Sequence, residues 1–236
     1  MSEILARVEE NKKRLRPKLT EDLATKPLSG MLRRETWTDH ERAQFSPFEL
    51  SLAEGTISKQ GYAELIANVY PVYQALETRL ETLADDPIVG QFHIAALARL
   101  RFLERDLAFF YGLDWEEKVA NCLPSTREYV DRINSVGPVG FVAHHYTRYM
   151  ADLSGGLMIY AALKKAWGDS DDGLAYYDFS EIGDAVGFKN AYRQALNDLP
   201  LDVDGKLELI EEVMVAYEYN IEMGKILAQR HLAVTA

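Results

Sequence analysis

The chain has 236 residues, 47% hydrophobic and 27% charged, a mix that excludes a largely disordered protein and suits one large domain or two small ones. Its 26 Lys and Arg stand against 37 Asp and Glu, for a formal net charge of −11, so no nucleic-acid groove is expected, since phosphate binding needs a basic face. The single cysteine, Cys122, excludes a disulfide framework and a cysteine-built zinc site and fits a reducing cytoplasm. No apolar run approaches the ~18–20 residues of a membrane span, and the first residues lack a signal-peptide core.

The hydrophobic periodicity is helical almost everywhere, with no sustained strand-type alternation and no internal repeat. The first 28 residues read as a charged amphipathic helix and a loop, broken at Pro17 and Pro27. A short helix is expected from about Gly30 to Phe45. Ser46-Pro47 starts the next, with Ser46 as N-cap, Pro47 at the first helical position and Glu49 closing a capping box; Gly55 ends it. Ser58 caps a long helix to about Ala84, with a kink at Pro71. After the turn Asp85-Asp86-Pro87, helices follow at about 92–111, 114–121 and 125–135. Gly137-Pro138 opens a long helical segment over 139–167, then comes an acidic loop over 168–184, and two further helices cover about 184–198 and 203–231. No composition shift marks a domain boundary after residue 29.

Common catalytic signatures are missing: there is no GxGxxG, Walker loop, GxSxG elbow or Glu-x-x-His pair. The unusual segment is Phe141–Trp167, FVAHHYTRYMADLSGGLMIYAALKKAW, helical by pattern with Ser154-Gly155-Gly156 in its middle. Each glycine costs a helix roughly 1 kcal/mol relative to alanine. The pair therefore marks a close approach to the backbone, by another helix or by a flat ligand, and permits a bend. Arg148 and Asp152 are i, i+4, as in a surface ion pair or as a carboxylate ordering water at a buried site. His40 lies in TWTDHERAQFSPF. One histidine suffices to ligate haem iron, and a lone histidine equally fits a surface or core role. His144 and His145 point to different helix faces and read as structural or surface residues. Lys189 and Arg193, i, i+4 in FKNAYRQALNDLP, suit the paired carboxylates of a ligand or a solvated basic edge. The many tyrosines read mostly as core.

Together these segments resemble the biliverdin-forming haem oxygenases, in their soluble bacterial and cyanobacterial form. The stretch AHHYTRYMADLSGG (Ala143–Gly156) is similar to that family's distal-helix signature, YTRYLGDLSGG. His40, followed by Ala43 and Phe48 at the family's spacings, is similar to its proximal segment, and NVYPVYQALE, RDLAFFYG and FKNAYRQALNDLP extend the likeness over roughly residues 30–230. The resemblance implies an all-α, single-domain fold with haem sandwiched between a proximal and a kinked distal helix. Residues 29–236 would form the haem oxygenase domain and residues 1–28 an N-terminal helical extension. His40 is implied as the iron ligand, and Asp152, with Arg148 and Tyr73, as the holder of a distal water network. Arg33, Tyr146, Lys189 and Arg193 match positions that anchor haem propionates. Gly155 and Gly156 would lie over the haem face, and Tyr217 and Asn220 would close the pocket from the last helix. Three positions depart from the family pattern. Ala151 replaces the glycine before Asp152 and adds a methyl where the distal helix comes closest to the haem. Leu157 replaces a glutamine. Gln44 replaces a glutamate and would be a neutral acceptor for the His40 N–H.

The implied reaction uses haem (iron protoporphyrin IX) as cofactor and substrate, with dioxygen and electrons from a redox partner, a ferredoxin or flavin reductase. It releases biliverdin, carbon monoxide and ferrous iron. The implied protein is a cytoplasmic monomer with no membrane or nucleic-acid partner and without the C-terminal anchor of animal members. The alternative is a haem-binding carrier or sensor with the same fold and weak or no turnover, which Ala151 favours. A thiaminase-type enzyme of related helical architecture needs an activated cysteine, and Cys122 in ANCLPS has no His or Asp near it.

Overall fold

The helical periodicity resolves into twelve α-helices among the described residues of the computed structural model, which describes residues 3–232. Residues 1–2 and 233–236, the outer ends of the two expected units, lie outside them. The first helix, α1 (Glu3–Thr25), runs on through Pro17 rather than breaking there. It packs on the last helix, α12 (Val203–His231), and Ile4, Leu19 and Leu23 are buried. That burial outweighs the one helical hydrogen bond a proline removes. The helix expected over 30–45 is two helices, α2 (Leu28–Glu35) and α3 (Trp37–Gln44), parted at Thr36. The Thr36 hydroxyl donates to the Leu32 carbonyl at 2.8 Å, closing α2 with its side chain.

α4 (Pro47–Ala53) starts from Ser46 with Pro47 first, but Glu49 does not close the expected capping box: the Ser46 N–H donates to the Ala43 carbonyl at 3.1 Å instead. Gly55 follows at φ +69°, and a Cβ there would also stand 2.8 Å from the Ala162 carbonyl oxygen, so only glycine serves. α5 (Lys59–Thr82) is capped by Ser58, whose Oγ accepts the Gly61 N–H at 3.0 Å, and contains Pro71. The helix expected from residue 92 begins only at α6 (Leu100–Tyr111), after two 3-10 turns, Gly90–Phe92 and Ala95–Leu97. Arg99 and Glu77 account for the late start. The buried Arg99 Nε donates to the Leu97 and Ala98 carbonyls at 3.0 and 2.9 Å, and Glu77 Oε1 accepts the Arg99 and Leu100 N–H groups at 2.5 and 3.2 Å. α7 (Trp115–Ala120), α8 (Pro124–Ser135) and α9 (Pro138–Ala151) follow, the last two with proline in the first turn. A π-helical turn, Asp152–Gly156, joins α9 to α10 (Leu157–Ala166), and α11 (Ala185–Asn197) precedes α12.

α12 and α9 are the central pair. α12 also contacts α1, α3, α4, α5 and α8, and α5 packs on α6 and α8. Leu209, Ile210, Val213 and Ala216 of α12 are fully buried with Phe141, Val142 and Ala143 of α9.

Candidate functional site

The glycine pair sits in the π-turn, where a widened backbone register commonly marks a functional site. Its two members differ. A Cβ on Gly156 would stand 2.6 Å from Tyr177 Cδ1, whereas a Cβ on Gly155 would meet nothing within 4 Å. Gly156 is therefore small for an aromatic ring of the protein's own loop. Gly155 faces open space, and Ala151, Ser154, Gly155 and Met158 form an exposed face along the turn.

Asp152 lies beside that face and is buried. Its Oδ2 accepts hydrogen bonds from the Tyr73 hydroxyl, from the Tyr176 hydroxyl at 2.5 Å and from Arg148 Nη2 at 3.5 Å. Arg148 Nη2 also donates to Tyr176 Oη at 2.8 Å, and Nη1 donates to Asn220 Oδ1 at 2.6 Å. The guanidinium lies 5.5 Å from the Tyr73 ring centroid, and its Nε is buried without a partner. Arg148 and Asp152 are thus an interior network rather than a surface pair. Burial first, and then the Asp152 charge, raise Tyr73 and Tyr176 well above the usual phenol range, so both remain hydrogen-bond donors.

Tyr176 was not singled out as a site residue by its sequence context, an acidic loop. It reaches Asp152 because α6 pins that loop. Asp106 accepts the Ala175 and Tyr176 N–H groups at 2.8 and 2.7 Å, and Arg99 Nη1 donates to the Asp178 carbonyl at 2.6 Å. Burial pushes Asp106 up to about 6 against the pull of those two N–H groups.

His40 stands on α3. Burial lowers its basicity, with Arg33 adding to that and Glu41 opposing it, so the imidazole is neutral at pH 7. Trp37, one turn earlier, stacks on it with centroids 5.3 Å apart, and Tyr217 meets it edge-on at 6.2 Å. Nδ1 is sealed without a hydrogen-bond partner, which leaves Nε2 the accessible nitrogen. Gln44 does not take the His40 N–H: its side chain is exposed and makes no hydrogen bond to the ring. Aromatic packing orients the histidine instead, and the i, i+3 spacing of Trp37 and His40 is the signal for it. Arg42 ties α3 to α12 through Glu218, with Asp39 at 3.2 Å.

α12 joins the two walls. Tyr217 touches His40, and Asn220, one turn later, accepts from Arg148. A third group gathers positive charge. α2 packs on α11, and both Arg33 and Arg193 pull down the Tyr146 phenol, which burial raises. Lys189 is half-buried one turn before Arg193, whose Nη1 donates to Asn190 Oδ1 at 3.0 Å. The other histidines lie elsewhere. His144 Nε2 donates to Glu212 at 3.0 Å, and His145 shares a 2.8 Å hydrogen bond with Tyr192 Oη; both rings are fully buried.

These features fit haem. They are a neutral, accessible imidazole nitrogen, an aromatic-packed proximal helix, a bare backbone face over Gly155 beside an anchored carboxylate, and a cationic edge for propionates. Among the described residues no helix is long and apolar enough to cross a membrane. The family model for Heme oxygenase matches residues 26–225. Heme oxygenase 1 of Synechocystis is 37% identical over 199 residues, covering 83% of this chain and 82% of that protein. Heme oxygenase 1 of Rattus norvegicus is 36% identical over 214 residues, covering 88% and 73%. The crystal structure of the Synechocystis heme oxygenase-1 in complex with heme superposes with a TM-score of 0.82 at 35% identity, over 87% of this chain and 94% of that one. The structure of the heme oxygenase from Leptospira interrogans gives 0.80 at 31%, over 85% and 100%. With the fold, the signature around Asp152 and the His40 segment carried on one chain and matched over most of its length, the chain belongs to the haem oxygenase family.

Proposed function

We infer that this chain binds haem between α3 and the π-turn and catalyses its oxidative opening to biliverdin, carbon monoxide and ferrous iron. The observation that carries the reading is the open backbone at Gly155 set beside the buried, triply hydrogen-bonded Asp152. Bound haem supplies the iron at which dioxygen is activated, and its own porphyrin is the substrate. His40 Nε2 would ligate its iron on one side and, being neutral, would lack the strong electron push of a thiolate. On the other side Asp152, held by Tyr73, Tyr176 and Arg148, orders water against the open face. Arg33, Tyr146, Lys189 and Arg193 take the propionates and fix the rotation of the ring in its plane. Tyr217 and Asn220 hold the two walls at a set spacing. Electrons come from a ferredoxin or flavin reductase, and the chain works as a cytoplasmic monomer, with residues 1–28 as an extension on the domain of residues 29–236. A carrier would need the histidine and the cationic edge, but holding haem does not require three donors converging on one buried carboxylate; that network favours the enzyme.

Titration with haem followed by reduction with ascorbate in air tests the reading. Loss of haem absorption and growth of a broad red biliverdin band are expected; haem that stays bound and intact refutes turnover. His40→Ala should lose the histidine-ligated spectrum, and added imidazole should partly restore it. An unchanged spectrum in that variant excludes His40 as the ligand.

A further inference from the structure

Asp152 opens the π-turn and Gly156 closes it, and two successive tyrosines of one loop hold the two ends. The Tyr176 hydroxyl donates to Asp152 Oδ2 at 2.5 Å, and the Tyr177 ring packs where a Cβ on Gly156 would stand. The loop is fastened independently of the turn. Asp106 of α6 accepts the Ala175 and Tyr176 N–H groups at 2.8 and 2.7 Å, and the buried Arg99 donates to the Asp178 carbonyl at 2.6 Å. The Tyr176 ring is itself buried, edge-on to Tyr73 at 5.7 Å and against Tyr177 at 4.7 Å.

These contacts divide the two oxygens of Asp152. Oδ2 accepts from Tyr73, from Tyr176 and from Arg148 Nη2. A carboxylate oxygen offers about two lone-pair sites, so three donors leave Oδ2 no place for water. Oδ1 accepts no hydrogen bond from any described residue and is not sealed. It is the one carboxylate oxygen left to hold water beside the open backbone at Gly155. Tyr176 decides that division. The Arg148 contact with Oδ2 is long, 3.5 Å, and its 2.8 Å partner is Tyr176 Oη. The Tyr176 hydroxyl thus fills Oδ2 and also takes up the guanidinium that stands beside it. Without that hydroxyl, Oδ2 keeps Tyr73 and one weak donor, and a place for water opens on it.

We propose that Tyr176 is a positioning residue of this site: its hydroxyl closes Oδ2 to water and makes Oδ1 the single oxygen on which water is held against the haem face. Tyr176 acts through Asp152 and does not touch the substrate. The assignment rests on the haem oxygenase reading above and gives its water network a direction. Delivering electrons to dioxygen consumes protons, and oxygen destined for the porphyrin must not be lost as water. One water on one oxygen brings protons along one line; waters on both oxygens bring them from two.

Tyr176→Phe removes the hydroxyl and keeps the ring. In haem-free protein, a short O–H bond to a carboxylate gives a strongly deshielded, exchange-protected proton. Proton NMR should show one such hydroxyl resonance that is missing from Tyr176→Phe and shifted in Asp152→Asn. A parent without that resonance overturns the proposal, whether or not the variant folds. With haem added, Tyr176→Phe should bind it as the parent does. Positioned proton-transfer groups contribute roughly 10²–10⁴-fold; with Tyr73 and Arg148 still on Asp152, the variant should forfeit about tenfold in ascorbate-driven biliverdin formation. Its oxidation of guaiacol by hydrogen peroxide should rise, because oxygen is then diverted from the ring. A packing role alone would weaken haem binding and turnover together and leave guaiacol oxidation unchanged. That result, or the parent's rate in the variant, overturns the proposal and leaves the haem oxygenase reading standing. A parent that binds haem and makes no biliverdin overturns that reading, and the role of Tyr176 with it.

Discussion

A methyl group added at Gly156 and one added at Gly155 meet opposite surroundings. At Gly156 the new Cβ would lie 2.6 Å from Tyr177 Cδ1 and 3.0 Å from Cε1. Tyr177 is buried and packs against Tyr176 at 4.7 Å and Tyr62 at 6.3 Å, so its ring has little room to retreat. Overpacking of this kind costs about 1–3 kcal/mol, and alanine's better helix propensity returns about 1 kcal/mol. Gly156→Ala should therefore lose up to about 2 kcal/mol, with about 2–4 °C of melting temperature per kcal/mol for a chain of this size. At Gly155 nothing lies within 4 Å, so Gly155→Ala keeps the propensity gain of about 1 kcal/mol. Its methyl projects from the bare face instead, and haem affinity should fall about tenfold, a loss near 1.4 kcal/mol. Urea unfolding of the haem-free proteins reads the first effect, and haem titration by Soret absorbance reads the second. Gly155→Ala binding haem as the parent does would show that the open face is not the haem wall. Gly156→Ala as stable as the parent would refute the Tyr177 contact as the reason for that glycine.

Asp152→Asn should still bind haem, because no iron ligand is lost, but form biliverdin at least about tenfold more slowly; it should also lose about 2–3 kcal/mol, since Arg148 stays buried without its carboxylate. Parent-like turnover in that variant would remove Asp152 from the water network. Lys189→Ala combined with Arg193→Ala should leave stability nearly unchanged and give mixed biliverdin isomers by chromatography, because the ring is then free to rotate; a single unchanged isomer would refute the propionate assignment. His145 is held at about 3 by burial, against an ordinary 6.5. It stays neutral in the fold and takes up a proton on unfolding, so its contribution falls by about 1.4 kcal/mol per pH unit as pH drops below 6.5 toward 3. Denaturation at pH 6.5 and 5 should show a loss of about 2 kcal/mol from this residue, absent in His145→Gln; equal pH slopes would refute it.

Local signals were enough for most helices. Ser46, Ser58 and Pro138 mark starts where the structure has them, because capping and proline chemistry act within a turn. What depends on distant contacts was hidden. Pro17 reads as a break until α12 covers α1, and residues 92–99 read as helix until Arg99 and Glu77 take up their backbone groups. The sequence marks the π-turn only as a permitted bend at the Gly155-Gly156 pair, since a single widened turn has no residue signature of its own. At the site, Arg148, Asp152 and His40 stood out through motif and spacing, and Tyr73 only through the family resemblance. Tyr176 did not stand out, because contacts from far along the chain, Asp106 and Arg99, bring its loop to Asp152. Glu49 was misread because its position satisfies a capping rule that the Ala43 carbonyl already fulfils.

The same dependence on distance explains how the two walls keep their relation. Neither α3 nor the π-turn can set the gap alone: His40 is fixed by aromatic packing, and Asp152 by donors from α5, α9 and a loop. α12 supplies the common reference, with Tyr217 against the His40 ring and Asn220 against Arg148, three residues or about 4.5 Å apart along the axis. Glu218, between them in sequence, bonds Arg42 of α3 and lies 3.7 Å from Arg7 of α1. α1 ends at Thr25, just before the family match begins at residue 26. Among the described residues, the segment outside the family match therefore reaches α3, the helix of His40, through the buried Glu218 carboxylate, and it braces the side of α12 that meets His40.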